Sequence, residues 1–209
     1  MPSQLLILDA NPSPRSLCAA LATSYARGAA RHTSAEIIRL ADLTFDPILR
    51  VGYETTQPWE PDLERAAAAL QAARHIVIVS PTWWAGPPAI LKGFIDRVFL
   101  PGWAYKFEGK PLPTPLLTGR SARLIITMDS PSLWYRLVHG RALHAMLIRP
   151  TLHFVGIKDV TQTTIYKVRD LDAAARAAWL TRVEHIGEQD ALRASTKPQS
   201  FLKKISSMV

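Results

Sequence analysis

The stretch Ser80-Pro81-Thr82-Trp83-Trp84-Ala85-Gly86-Pro87-Pro88-Ala89-Ile90-Leu91-Lys92-Gly93-Phe94-Ile95-Asp96-Arg97-Val98-Phe99 decides how this chain is read. The residues before it, His75 to Ser80, form a continuous apolar run of the kind found in parallel sheets covered on both faces. The residues after it predict a helix opening at Pro87 and Pro88, where a missing N–H costs little. Thr82 to Gly86 therefore lie where the carboxyl end of a strand meets a helix N-terminus, the place at which open α/β sheets hold ligands. Taken alone, adjacent tryptophans are equally compatible with a buried loop.

With 209 residues, 48% hydrophobic and 20% charged, the chain fits one globular domain with a sheet between two helix layers. No apolar run reaches the ~18 residues of a spanning helix, so a soluble protein without stable membrane insertion is expected. Residues 1–15 lack the order of features of a secretory signal, which predicts a cytoplasmic protein. The single Cys18 rules out an internal disulfide and cysteine-clustered metals, and no metal site is expected. The net charge of +8 and pI near 9.9 come from Arg and Lys scattered among helices. That pattern argues against nucleic acid and suits attraction of phosphorylated dinucleotides.

Five strand candidates, Gln4–Asp9, Glu36–Leu40, His75–Ser80, Arg123–Met128 and Val160–Val168, alternate with helical stretches at Pro14–Arg31, Asp62–Arg74, Pro87–Phe99, part of Leu133–Phe154, and Asp170–Glu188. Such alternation predicts an α/β three-layer sandwich, and five strands in a domain of this size favour the flavodoxin-like order 2-1-3-4-5. The loops after strands 1, 3 and 4 then converge on one ligand. Thr44–Pro61 and Leu100–Gly119 are long Pro- and aromatic-rich loops, expected to be covers or interface elements. The domain is expected over residues 1–190, followed by a basic tail over 191–209 with Lys197, Lys203 and Lys204 among Phe201, Leu202 and Ile205.

After strand 1, Asn11-Pro12-Ser13-Pro14-Arg15-Ser16-Leu17-Cys18 feeds an Ala-rich helix. Backbone N–H groups and the helix dipole there suit a phosphate, with Ser13, Arg15 and Ser16 as added donors. A Ser in that place is also an ordinary cap. No G-x-G-x-x-G or G-x-x-x-x-G-K-[ST] loop occurs, so a mononucleotide phosphate is the candidate. After strand 4, Thr127-Met128-Asp129-Ser130 leads to Tyr135 and His139, four apart and on one face if helical. A phenol and an imidazole there can stabilise developing charge, although a buried Tyr and a surface His fit the spacing too. Asp129 reads equally as a helix cap.

The run Pro81 to Phe99 resembles the central motif of the flavin-dependent NAD(P)H:quinone oxidoreductases, which are flavodoxin-like dimers. Asn11 to Cys18 is similar to their phosphate loop, Gly102-Trp103-Ala104-Tyr105-Lys106-Phe107 to their aromatic segment, and Leu152-His153-Phe154-Val155-Gly156 to the approach to strand 5. The resemblance implies that Pro81, Thr82, Trp83, Trp84, Ala85 and Gly86 lie along the flavin ring. It implies Ser16, Leu17 and Cys18 at the phosphate, with Asn11, Ser13 and Arg15 in the same loop, and Thr127, Met128, Asp129 and Ser130 in the strand-4 loop. It makes Tyr135 and His139 the catalytic pair, and Trp84, Tyr105, Phe107 and Tyr135 the walls of the substrate slot. Tyr105 and Phe107 close over the partner's ring, which implies a homodimer with composite sites.

The chain departs from the family pattern in four places. Met128 and Asp129 replace paired glycines, Cys18 stands where Asn is common, and the Tyr135-to-His139 spacing is shorter. The chain also ends soon after helix 5, which favours FMN, with FAD the alternative. The expected reaction is ping-pong two-electron transfer from NAD(P)H to a quinone or related aromatic acceptor. The alternative from another class is a flavodoxin-like ancillary regulatory subunit of a membrane transporter.

Overall fold

In the computed structural model, which describes residues 4–109 and 112–196, the odd and even residues of each inner strand point to opposite helix layers. Leu5 and Ile7 of β1 (Leu5–Asp9), Val77 and Val79 of β3 (His75–Pro81) and Ile125 of β6 (Ser121–Thr127) pack with α1 (Leu17–Ala29) and α6 (Ala173–Thr196). Leu6, Leu8, Ile76, Ile78, Leu124 and Ile126 pack on the other side with α2 (Pro61–Ala72) and α3 (Ala89–Val98). This is the two-residue period of a strand buried on both faces.

Adding β2 (Ala35–Arg39) and β7 (Asp159–Ile165) gives a five-stranded parallel sheet in the order β2-β1-β3-β6-β7. Numbered within this sheet alone, that is the expected 2-1-3-4-5. A short antiparallel pair, β4 (Tyr105–Lys106) with β5 (Thr114–Pro115), lies in the second long loop.

Three helical expectations change. Pro87 and Pro88 precede α3 instead of forming its first turn: Pro88 is its N-cap, with extended backbone at ψ 147°. A residue followed by proline is pushed out of the helical region, so Pro87 cannot start a helix before Pro88. The stretch 133–154 breaks into α4 (Ser132–Leu137), α5 (Ala142–Met146) and a wide π-type turn over Leu147–His153 containing Pro150. Gly140 and Arg141, both at φ 55°, separate α4 from α5. Finally, α6 continues past residue 190 to Thr196, with Asp190 and Ala191 buried. The basic residues expected in the tail, Lys197, Lys203 and Lys204, lie outside the described residues.

The loop over residues 44–61 is tied to α3 at Arg97. Arg97, fully buried on α3, donates to both Glu60 oxygens and to the carbonyls of Pro58 and Asp46, while Trp59 Nε1 donates to the Arg97 carbonyl at 2.7 Å.

Candidate functional site

The strand-3 loop forms a tight reversal. Trp83 and Gly86 exchange backbone hydrogen bonds at 2.9 Å in both directions, with Trp84 at φ 50° and Ala85 at φ 60° between them. Two consecutive left-handed residues define a type I′ turn, a conformation that side chains with a Cβ resist. Trp84 is 104% exposed and Trp83 about half exposed, so the pair is not core. Backbone held in such a region points to a functional constraint.

This reversal borders a cleft of about 220 Å³ at the carboxyl end of the sheet. Asn11 enters it from the loop after β1 and Leu17 and Cys18 from the first turn of α1, Pro81, Thr82 and Trp83 from the end of β3 and its loop, and Thr127, Met128 and Asp129 from the end of β6 and its loop. Three loops distant in sequence thus meet at the switch point between β1 and β3. The structure also brings in Val168 and Arg176, which the sequence reading missed. They follow β7, the neighbour of β6, and Arg176 is held by the carbonyls of Leu171 and Val168. The sheet order itself was the available signal, since β7 extends the same rim.

At the phosphate end, Asp9 Oδ1 accepts the Asn11 N–H, Asn11 Oδ1 accepts the Ser13 N–H, and Ser16 Oγ caps α1 by accepting the Ala19 N–H at 3.2 Å. The first turn of α1 carries no acidic residue, which leaves its dipole free to favour an anion. Ser13 and Arg15 are exposed beside the turn and do not line the cleft. Cys18 is buried with Sγ 3.4 Å from Thr127 Oγ1, and burial pushes its thiol up to about 11. It is a packing group rather than a thiolate nucleophile. Thr82 Oγ1 is buried with no hydrogen-bond partner among the described residues, an orphan on the cleft wall that a ligand would satisfy.

Asp129 is tied across the rim: its Oδ1 accepts the Arg169 N–H at 3.0 Å and its Oδ2 meets Arg169 Nε at 2.9 Å. Ala85 and Gly86 shape the reversal without lining the cleft, and Ser130 lies one residue beyond Asp129, also outside the lining.

The expected catalytic pair is placed differently. Tyr135 is fully buried, and its hydroxyl lies 2.8 Å from His144 Nδ1. His144 Nε2 in turn meets Thr164 Oγ1 at 3.1 Å, and burial followed by the charge of Arg141 pushes the imidazole down to about 4, so it is neutral at pH 7. Neither Tyr135 nor His139 lines the cleft. His139 packs edge-on to Tyr135 and accepts from Trp134 Nε1 at 3.3 Å. The four-residue spacing does bring the two rings together, but α4 ends at Leu137 before its turns can aim both outward.

Tyr105 and Phe107 are in edge contact, and Tyr105 also packs on Phe154. Tyr105 lines a second cleft of about 320 Å³, with Tyr53, Phe99, Met146 and Phe154 among its walls, while Phe107 stays largely exposed. Among the described residues, no group of three or more His, Cys, Asp or Glu could hold a metal ion.

A family model described as the flavodoxin-like fold matches residues 3–186. The chain belongs to this family. It is 31% identical to an uncharacterised NAD(P)H oxidoreductase of Haemophilus influenzae over 68% of this chain and 71% of that one. It is 27% identical to an FMN-dependent NADH:quinone oxidoreductase of Bordetella avium over 75% of this chain and 82% of that one. The crystal structure of Smu.1420 from Streptococcus mutans UA159 aligns with a TM-score of 0.75 at 27% identity, over 88% of this chain and 98% of that one. The match to NAD(P)H dehydrogenase (quinone) 1 of Cavia porcellus, by contrast, spans half the length of that relative.

Proposed function

We propose that this flavodoxin-like chain is an FMN-dependent NAD(P)H oxidoreductase that reduces quinones and related flat acceptors by two electrons. The observation that carries this reading is the cleft where the loops after β1, β3 and β6 meet at an acid-free helix N-terminus, against an exposed tryptophan turn. The names of its relatives in Haemophilus and Bordetella agree with it.

The residues present fit FMN. Asn11, Leu17 and Cys18 line the end suited to phosphate beside the Ser16 cap of α1, Thr82 Oγ1 is a polar group in need of a partner, and Trp83 offers a flat apolar wall. When bound, FMN supplies the hydride chemistry that side chains lack. The chain's own residues orient and exclude. Trp83 and Trp84 border the open face where donor and acceptor take turns, which gives ping-pong kinetics, and the Asp129–Arg169 tie fixes the opposite rim.

Tyr135, turned onto His144, acts in this reading by holding the segment after β6, and the exchangeable proton comes from solvent at the open face. We further place Tyr105 and Phe107 at a homodimer contact, where Phe107 reaches the partner's slot and the second cleft is covered. A pyridine-nucleotide donor makes the cytoplasm the site of action. The alternative of a transporter-regulating subunit draws no support from the relatives' names.

The test is the absorption spectrum of purified protein reconstituted with FMN or FAD, followed anaerobically as NADH or NADPH and then a benzoquinone are added. Bleaching by the donor and full recovery with the quinone are expected. Absence of flavin binding would overturn the reading.

A further inference from the structure

A buried carboxyl lies beneath the phosphate end of the cleft. Asp9 closes β1 and is fully buried. Leu5 and Ile7 point to the α1 layer, so the two-residue period of the strand sends Asp9 to the same side, under the N-terminus of that helix. The first turn of α1 has no acidic residue of its own, but Asp9 brings one from the strand below. Its Oδ1 accepts the Asn11 N–H at 3.0 Å and so starts the turn that Asn11 Oδ1 continues by accepting the Ser13 N–H. Its Oδ2 is buried with no hydrogen-bond partner among the described residues. Buried carboxylate oxygens are normally paired, so this one calls for a reason.

The charges around Asp9 balance it incompletely. On β2 its register partner Arg39 brings Nε to 3.7 Å from Oδ2, too far for a hydrogen bond, and that Nε is itself buried and unpartnered among the described residues. Arg39 is shared, at 3.4 Å, with Asp42 of the short 3₁₀ turn Leu40–Asp42, whose charge opposes that of Asp9. On β3 the register partner is the uncharged Val79. On α1 stands Cys18, whose thiol is pushed up by burial and, as a lesser cause, by the Asp9 charge. Cys18 lines the cleft, so that charge is felt at its phosphate end. Burial, the largest influence on Asp9 itself, outweighs the Asn11 N–H and the charge of Arg39 and lifts the carboxyl above its usual 3.8.

We propose that Asp9 sets the affinity of this cleft for phosphate by giving up its charge: a phosphate seated on the α1 N-terminus draws a proton from solvent onto Asp9, which couples FMN binding to proton uptake. The proton rests on Oδ2, the oxygen that has no donor. Ionised, Asp9 holds the Asn11 N–H and sets a resident negative charge at the helix end that an incoming phosphate would use. The interior screens that repulsion poorly. By reciprocity, a phosphate that favours the protonated carboxyl binds more tightly, by the same factor, once the carboxyl is protonated. Affinity therefore rises as pH falls into the Asp9 range. The inference rests on the reading of this cleft as an FMN site.

The test titrates FMN and riboflavin, followed by flavin fluorescence, into the full chain and its Asp9→Asn variant at pH 8, 6.5 and 5. Asparagine keeps an oxygen for the Asn11 N–H and removes the charge. At pH 8 the variant should bind FMN about tenfold more tightly than the unsubstituted protein, and the gap should shrink to about twofold or less at pH 5. The FMN phosphate titrates near pH ~6, but it does so against both proteins and leaves the gap to Asp9. Riboflavin, which lacks the phosphate, should show no gap at any pH. Calorimetry in buffers of different ionisation heat reads the same coupling without a substitution. Near pH 6 the unsubstituted protein should take up a fraction of a proton with FMN that it does not take up with riboflavin, whereas a phosphate that binds fully charged releases protons there.

Identical FMN profiles in the two proteins, with no net proton uptake, would overturn the proposal and leave the flavin reading standing. A variant weakened by one constant factor at every pH would overturn it too, because Asp9 would then be a strut of the turn. The same gap with riboflavin would show that the charge does not act on the phosphate. Failure of both proteins to bind FMN at any pH would remove the flavin reading and this inference with it.

Discussion

At the scale of the residue, the most informative positions are two that break a local rule. Trp84 and Ala85 hold φ values of 50° and 60°, where a Cβ crowds the backbone at roughly 1–2 kcal/mol per residue. Natural chains usually place Asn or Gly in such a turn. Ala85→Gly should relieve that strain and raise stability by about 0.5–1 kcal/mol, less than the full strain because glycine also frees the unfolded chain. The same change should loosen the Trp83–Trp84 shelf and weaken flavin binding several-fold. Urea midpoints and an FMN titration of the variant check both halves. A loss of stability would mean that the turn is not under strain. The sequence placed Trp83 and Trp84 between a strand and a helix and left a buried loop open, and it did not show the left-handed geometry, because neither Trp84 nor Ala85 is a residue that normally signals it. Tyr135 illustrates the opposite limit. Its spacing from His139 was visible, whereas its burial on His144 depends on a break at Gly140 and Arg141 that brings a residue nine positions away to its hydroxyl.

Elements were far more legible than side-chain roles. The three inner strands, β1, β3 and β6, were visible as apolar runs because a strand buried on both faces leaves no polar alternation to confuse with a helix, whereas the edge strands β2 and β7 are only partly buried and were placed by their alternation with helical stretches. Where boundaries moved, the cause was local: proline before proline at 87–88, and two left-handed residues within 133–154. The close approach of α1 and α6 was not legible, although two glycines mark it. A Cβ on Gly28 would lie 1.8 Å from the Glu184 carbonyl oxygen, and one on Gly187 would lie 2.2 Å from that of Tyr25. Both obstacles are backbone, so the helices must separate to admit a methyl group. Gly28→Ala is expected to cost on the order of 3 kcal/mol, at the upper end of overpacking, despite alanine's better helix propensity. Removing the surface pairs of Arg27 and Arg31 with Glu184 and Glu188 should cost under about 1 kcal/mol each. Thermal unfolding of these variants distinguishes the two contributions. If Gly28→Ala is neutral or stabilising, the helices are not in contact at that point.

For the whole molecule, the two ends of the sheet have different tasks. The carboxyl end gathers the loops of the candidate site. The opposite end is closed by a buried charged cluster that joins both helices of one layer to the sheet: Asp190 of α6 takes two hydrogen bonds from Arg123 of β6 and one at 2.8 Å from Tyr25 of α1, with His75 of β3 at 3.6 Å. Burial disfavours the Asp190 carboxylate, but His75 and the hydrogen bonds and charge of Arg123 outweigh it and hold the carboxyl well below its usual range. A carboxyl whose folded value is depressed contributes stability that is complete above its unfolded value near 3.8 and is lost as pH falls toward the folded value. Asp190→Asn leaves Arg123 buried without its counter-charge and should cost about 3–5 kcal/mol at pH 7. Below pH ~4 the unsubstituted protein begins to lose the same interaction, so the gap between the two proteins should narrow with acid. Urea midpoints at pH 7 and pH 3.5 measure that gap directly. A gap that stays constant would show that the cluster acts through shape and not through charge. Flavin affinity at pH 7 should be little changed under conditions where the variant is still folded, because the cluster and the cleft sit at opposite ends of the same strands.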